Sequence, residues 1–171
     1  MTYQVGVYSP RGYADTISKS MKNILPCTTV WSDLSQPEVK LNEDVQLLFF
    51  DLEEGKIEVI PFCIMDVLEQ MRGKTLLLFI TCTQPFSEGL KQQIERSLLP
   101  FIPDDCHYRG MFLCTAEYSE ETFAKLERAH ALHPEHEGIG LWLEQCRQCQ
   151  GHPNEKDLSD AWDFAIEQLN L

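Results

Sequence analysis

No apolar stretch of this chain approaches the roughly 18 residues needed to cross a bilayer, so no membrane-spanning helix is expected. Basic side chains are scarce: 14 Lys and Arg stand against 27 Asp and Glu, leaving a formal net charge of -13. Such a chain repels nucleic-acid phosphates and anionic lipid heads, which removes nucleic acid and membrane surfaces from the expected partners. A partner protein with a basic surface suits the charge, which also serves plain solubility. The first residues, MTYQVGVYSP, show no basic segment leading into an apolar core, so no signal peptide is expected. Gly-x-Ser-x-Gly, Walker and HExxH patterns are all missing, which leaves hydrolytic chemistry without visible machinery.

An even disulfide framework is missing too. The seven cysteines are Cys27, Cys63, Cys82, Cys106, Cys114, Cys146 and Cys149, and several sit inside apolar runs such as IPFCIM and LFITCT. This is the usage of free thiols in a reducing compartment, so a cytoplasmic protein is expected. The length, 171 residues with 43% hydrophobic and 24% charged, suits one globular domain spanning 1–171.

What is present alternates. Tyr3–Tyr8, Thr28–Trp31, Val45–Phe50, Thr75–Ile80 and Tyr108–Cys114 are short β-branched or apolar runs that read as strands. Helical spacing occupies Gly12–Leu25, Phe62–Met71 and Phe86–Leu99 between them. Beyond Cys114 the chain reads as helix, with breaks at Pro134 and at Gly151-His152-Pro153, and with Asn154 or Asp157 placed to cap the last helix. Alternating strands and helices imply βαβ units, a parallel sheet and helices on both faces. Such a sheet binds ligands beyond the carboxyl ends of its strands, where the order reverses. The loops of interest are therefore 9–14, 51–61 and 81–86.

The first loop, Ser9-Pro10-Arg11-Gly12-Tyr13-Ala14-Asp15-Thr16, leads from strand to helix. Free amides, a positive dipole end, a hydroxyl, a glycine and Arg11 suit a phosphate. Pro10 removes one amide, and Asp15 sets a negative charge nearby. The same residues also suit a helix start in which Ser9 or Asp15 caps free amides.

Strand, Ser-x-x-Gly loop and helix together resemble the FMN phosphate loop of flavodoxins, whose pattern is Ser/Thr-x-Thr-Gly-Asn-Thr. Ser9 and Gly12 match it, while Arg11, Tyr13 and Ala14 stand where the family has Thr, Asn and Thr. The carboxyl-terminal half resembles the flavodoxin-like proteins encoded beside bilirubin reductases. It carries Gly110-Met111-Phe112-Leu113-Cys114, then Gly151-His152-Pro153-Asn154-Glu155-Lys156-Asp157-Leu158 followed by Ala161, Phe164 and Ala165.

The resemblance implies a flavodoxin-like three-layer sandwich with a five-stranded parallel sheet of order 2-1-3-4-5, helices on both faces and a helical carboxyl-terminal region. It implies FMN as cofactor and a carrier that exchanges electrons with a redox partner protein rather than a stand-alone enzyme. Ser9, Pro10, Arg11, Gly12, Tyr13, Ala14 and Thr16 would then border the phosphate. Phe50, Thr81, Cys82, Thr83, Gln84 and Phe86 would border the ring, and Asp51, Glu53, Glu54 and Glu58 would form an acidic wall against the anionic reduced flavin. The substituted threonines and that acidic loop support an alternative: a flavodoxin fold that has lost FMN and serves as a binding or accessory subunit. A small reductase acting directly on a bound substrate is a third, more distant reading.

Cys146-Arg147-Gln148-Cys149 falls at a helix carboxyl terminus, where the dipole works against a thiolate, and is read as structural. His130, His133 and His136 are interrupted by Pro134 and are read as surface residues. Trp142 and Trp162 lie in apolar helical stripes and are expected in the core.

Overall fold

A computed structural model describes residues 1–171. Five strands, β1 (Tyr3–Tyr8), β2 (Val30–Asp33), β3 (Val45–Asp51), β4 (Thr75–Cys82) and β5 (His107–Thr115), form one parallel sheet of order β2-β1-β3-β4-β5. The helices are α1 (Tyr13–Ser20), α2 (Phe62–Leu68), α3 (Glu88–Leu98), α4 (Glu120–Leu132), α5 (Glu137–Cys149) and α6 (Glu155–Leu169). The flavodoxin-like architecture and its strand order are those expected. The first helix is shorter than its periodicity suggests, since a 3-10 turn takes over at Met21–Asn23. The second strand starts two residues later than the Thr28 expected for it.

Both faces of the central strands are covered, which is why β3 and β4 read as unbroken apolar runs. Side chains alternate across the sheet, so Leu48, Phe50, Leu76, Leu78 and Ile80 face one way and pack with Ile64, Leu68, Leu90 and Ile94 of α2 and α3. Val45, Leu47, Phe49, Leu77 and Phe79 face the other way and pack with Ile17 of α1 and Ala161 and Ala165 of α6. Phe49 stacks on Phe79 with centroids 4.3 Å apart, and Phe164 meets Phe79 edge-on at 5.5 Å. Phe50 is fully buried on the opposite face, clustered with Leu52 and Ile60 of the loop that follows it.

The last helix starts on a capping box. Asn154 accepts from the Asp157 amide at 3.0 Å, and Asp157 accepts from the Asn154 amide at 2.7 Å. Asp157 also lies 2.6 Å from His152 Nδ1, so the His-Pro-Asn-x-x-Asp stretch is the entry to α6.

The α4 and α5 helices build a third, smaller core of Tyr118, Leu126, Leu143, Cys146 and Cys149. Cys146 and Cys149 are buried there, and burial pushes their thiols up to about 11 and about 12. That agrees with a structural reading of the pair. His136 accepts from the Ile139 amide at 3.2 Å and so caps α5. Trp142 departs from expectation: it lies at the border of the buried stripe and is 47% exposed. Trp162 is half-buried, and its Nε1 donates to Ser20 Oγ at 2.9 Å.

Candidate functional site

The strand order reverses between β1 and β3, so the cleft to examine lies above their carboxyl ends. The loop from β1 turns at Gly12, whose φ of 84° is left-handed and suits glycine. It then opens α1.

Asp51, the last residue of β3, reaches into that loop. Its side chain is buried, at 1% exposure. Oδ2 accepts from Ser9 Oγ at 2.7 Å and from the Arg11 amide at 3.0 Å. Oδ1 accepts from the Ala14 amide at 2.7 Å and from Thr81 Oγ1 at 2.7 Å. The remaining donors are also engaged within the loop. The Asp15 amide donates to Ser9 Oγ at 3.0 Å, while the Gly12 and Thr16 amides donate to the Ser9 and Gly12 carbonyls. Thr16 Oγ1 donates to the Gly12 carbonyl at 3.0 Å. Of residues 9–16, Ser9 and Tyr13 keep amides without such a partner, and Pro10 has no amide hydrogen to offer.

The Arg11 side chain reaches toward Glu117 and Glu54. Its Nη2 donates to the Glu117 carbonyl at 2.6 Å and lies 3.9 Å from Glu54 Oε1, and the guanidinium sits 4.8 Å over the Tyr13 ring. Burial and the nearby Glu117 raise the Tyr13 phenol, with Arg11 acting the other way.

The loop after β3 is equally committed. Glu54 accepts from the Ser119 amide at 2.6 Å, and its other oxygen accepts from Ser119 Oγ and Thr122 Oγ1 at 3.2 and 3.1 Å. It thus holds the start of α4 over the strand ends, where a carboxylate also suits the helix dipole. The Gly55 amide donates to Thr83 Oγ1 at 2.7 Å, joining loop 51–61 to loop 81–86. Gln145 of α5 donates to the Thr83 carbonyl at 3.2 Å.

Thr81, Cys82 and Thr83 are all buried. The Gln84 carbonyl accepts from Thr115 Oγ1 at 3.0 Å. Phe86 is 52% exposed but lies toward β5, against a hollow shared with Phe112, Gln148 and His152. None of Ser9–Thr16 lines that hollow. The cleft beside the first loop measures about 630 Å³ and is lined by Tyr8, Pro10, Arg11, Asp51, Glu53, Glu54, Val59, Pro61 and Ser119. Phe62, which follows the lining residue Pro61 in the chain, is 84% exposed.

The profile of the family described as "Flavodoxin domain" matches residues 9–166. The chain belongs to that family. Among curated proteins, the flavodoxin-like domain-containing protein BilS of Clostridioides difficile (strain CD3) is 29% identical over 103 residues, which is 60% of this chain and 58% of that protein. The matched part thus spans little more than half of the relative's length. Among solved structures, a short-chain flavodoxin associated with a non-canonical PDU bacterial microcompartment shares the fold. Its TM-score is 0.50 at 16% identity, covering 71% of this chain and 88% of that one.

Flavodoxin membership raises the question of fit to FMN. Most loop donors that a phosphate would need, Ser9 Oγ and the Arg11, Gly12, Ala14, Asp15 and Thr16 amides, are already bonded to Asp51 or within the loop. Asp51, Glu53 and Glu54 add acidic groups to the cleft wall, against which a dianion is repelled. As folded, these residues do not fit the phosphate of FMN. The signal for this was the aspartate at the end of β3, which reads in sequence as one more member of an acidic loop.

Proposed function

We propose that this flavodoxin-family chain works as a cofactor-independent binding or accessory subunit for a redox partner protein, with the donors of its first loop taken by its own side chains. The observation that carries this reading is the Asp51 carboxylate seated on Ser9 Oγ, the Arg11 and Ala14 amides and Thr81 Oγ1. A buried, fourfold-bonded carboxylate is costly to displace, because each charge-assisted bond contributes about 1.5–3 kcal/mol. The tie from Glu54 to α4 and that from Gln145 to the Thr83 carbonyl support it, since they fasten the loops that would otherwise part around a ring.

The expected partner carries a basic surface, by complementarity to a net charge of -13. A cytoplasmic setting, inferred from seven free thiols, belongs to the same proposal.

A second reading is an FMN-binding electron carrier. Family membership and the cleft of about 630 Å³ favour it. In that case the flavin supplies the electron chemistry and the protein only tunes it.

The visible spectrum of the purified protein, followed by FMN titration under fluorescence, separates the two. Colourless protein that leaves FMN fluorescence unquenched is the expected result. A yellow preparation, or saturable quenching, overturns the cofactor-free reading in favour of the electron carrier.

A further inference from the structure

Asp51 does more to the first loop than close it. We propose that the Asp51 carboxylate is a built-in anion standing where a ligand's phosphate would sit, and that this single side chain bars phosphate from the loop. The proposal rests on the cofactor-free reading of the cleft and deepens it.

The four donors come from three separate segments: Ser9 and Arg11 from the loop, Ala14 from α1, and Thr81 from β4. They converge on two oxygens of one group. Backbone amides at a helix start, together with a hydroxyl, form a donor set for an oxyanion rather than a generic turn. Gly12, the residue before α1, has no side chain to cap that helix, so its first-turn amides turn to Asp51 and to Ser9 Oγ instead.

Space and charge are available as well. A Cβ added at Gly12 would meet no atom within 4 Å, so the left-handed turn faces open volume. Arg11 is 15% exposed at its side chain, yet Nη1 is buried without a hydrogen-bond partner. One charged donor next to the loop is therefore uncommitted.

Replacing Asp51 by a small neutral residue frees Ser9 Oγ, two amides and Thr81 Oγ1 together. The ligand class such a site takes is a phosphate or phosphomonoester, held as an anion and not transformed.

The test compares full-length wild type with Asp51→Ala by thermal unfolding, in sodium chloride and in sodium phosphate of matched ionic strength. The variant should melt below wild type in chloride and gain about 3 °C in phosphate, as ligand linkage predicts for saturation well above Kd. Wild type should shift by less than a third of that. A variant indifferent to phosphate, or equal shifts in both proteins, overturns the proposal.

If Asp51→Ala does not fold, Asp51→Ser, also small and neutral, serves the same comparison with the same outcomes. Wild-type amide spectra give a second measurement: the Arg11 and Ala14 resonances should ignore added phosphate, and their saturable movement would overturn the proposal.

The two readings fail separately. Wild type that binds FMN and riboflavin equally would sink the cofactor-free reading and leave the role of Asp51 intact. A phosphate-blind Asp51→Ala would sink only the latter.

Discussion

Thr81 donates its hydroxyl to Asp51 Oδ1 at 2.7 Å, and the two residues are direct neighbours in the β3–β4 register. Both are buried, so water does not replace the bond when one partner is removed. Thr81→Val keeps the shape and β-branching of the strand residue but withdraws one of four donors from a buried carboxylate. The expected cost is about 1–3 kcal/mol, the usual range for stranding a buried polar group. Urea unfolding at pH 7 measures it. A variant as stable as wild type would mean that Asp51 does not depend on this donor.

Glu54 presents a comparable case on the other side of the cleft. Its two oxygens receive the Ser119 amide, Ser119 Oγ and Thr122 Oγ1. Glu54→Ala should therefore loosen the start of α4 and cost about 1 kcal/mol, as the loss of a helix cap does. Hydrogen exchange at residues 119–123 should accelerate while β3 and β4 stay protected. Uniform acceleration across the sheet would instead place Glu54 in the global core.

These two carboxylates show where the sequence could be read and where it could not. Val45–Phe50 and Thr75–Ile80 are continuous apolar runs because both their faces are covered, and such runs are legible at once. The Asn154–Asp157 capping box is legible too, since its two members are three residues apart. Asp51 was not. Its partners lie at Ser9, Arg11, Ala14 and Thr81, some 30 to 40 positions away, and only the parallel register brings them together. In sequence it merges with Glu53, Glu54 and Glu58 into one acidic stretch. In the fold these residues separate: Asp51 is a buried anion, Glu54 a cap, and Glu53 pairs with Lys56 at 2.8 Å on the surface. Trp142 was misplaced for a related reason, because helical periodicity gives a face but not its edge.

The thiols yield a prediction in pH. Burial raises Cys82 and Cys146 to about 11 and Cys149 to about 12, from an ordinary value of 9.0. A folded-state pKa above the unfolded one contributes stability that is complete below pH 9 and is lost as pH rises through the folded value. Unfolding free energy should thus decline between roughly pH 9 and 12 through these groups. Cys146→Ala in combination with Cys149→Ala should flatten part of that decline. At pH 8 a thiol reagent should label the exposed Cys27 first, and Cys82, Cys114, Cys146 and Cys149 only upon unfolding. Fast labelling of Cys146 or Cys149 in the native protein would contradict their structural role.

Gly110 opens the Gly-Met-Phe-Leu-Cys stretch of β5, and its φ of 119° lies in a region that side chains other than glycine rarely enter. It sits where the β4–β5 register slips between Leu76 and Leu78, so the strand bulges at this point. Space is not the constraint: a Cβ there would approach Phe164 no closer than 3.7 Å, an ordinary contact. Any cost of Gly110→Ala must therefore come from the backbone, and about 1–3 kcal/mol is expected. Gly89, in the first turn of α3, provides the control, because a Cβ there also meets nothing within 4 Å and its backbone is helical. Gly89→Ala should be neutral or stabilising by up to about 1 kcal/mol, since alanine loses less entropy in a helix. Opposite signs for the two substitutions in matched urea titrations would isolate the bulge as the reason for glycine at 110. Equal effects would mean that β5 relaxes around the new side chain, and that the register shift is not held by Gly110.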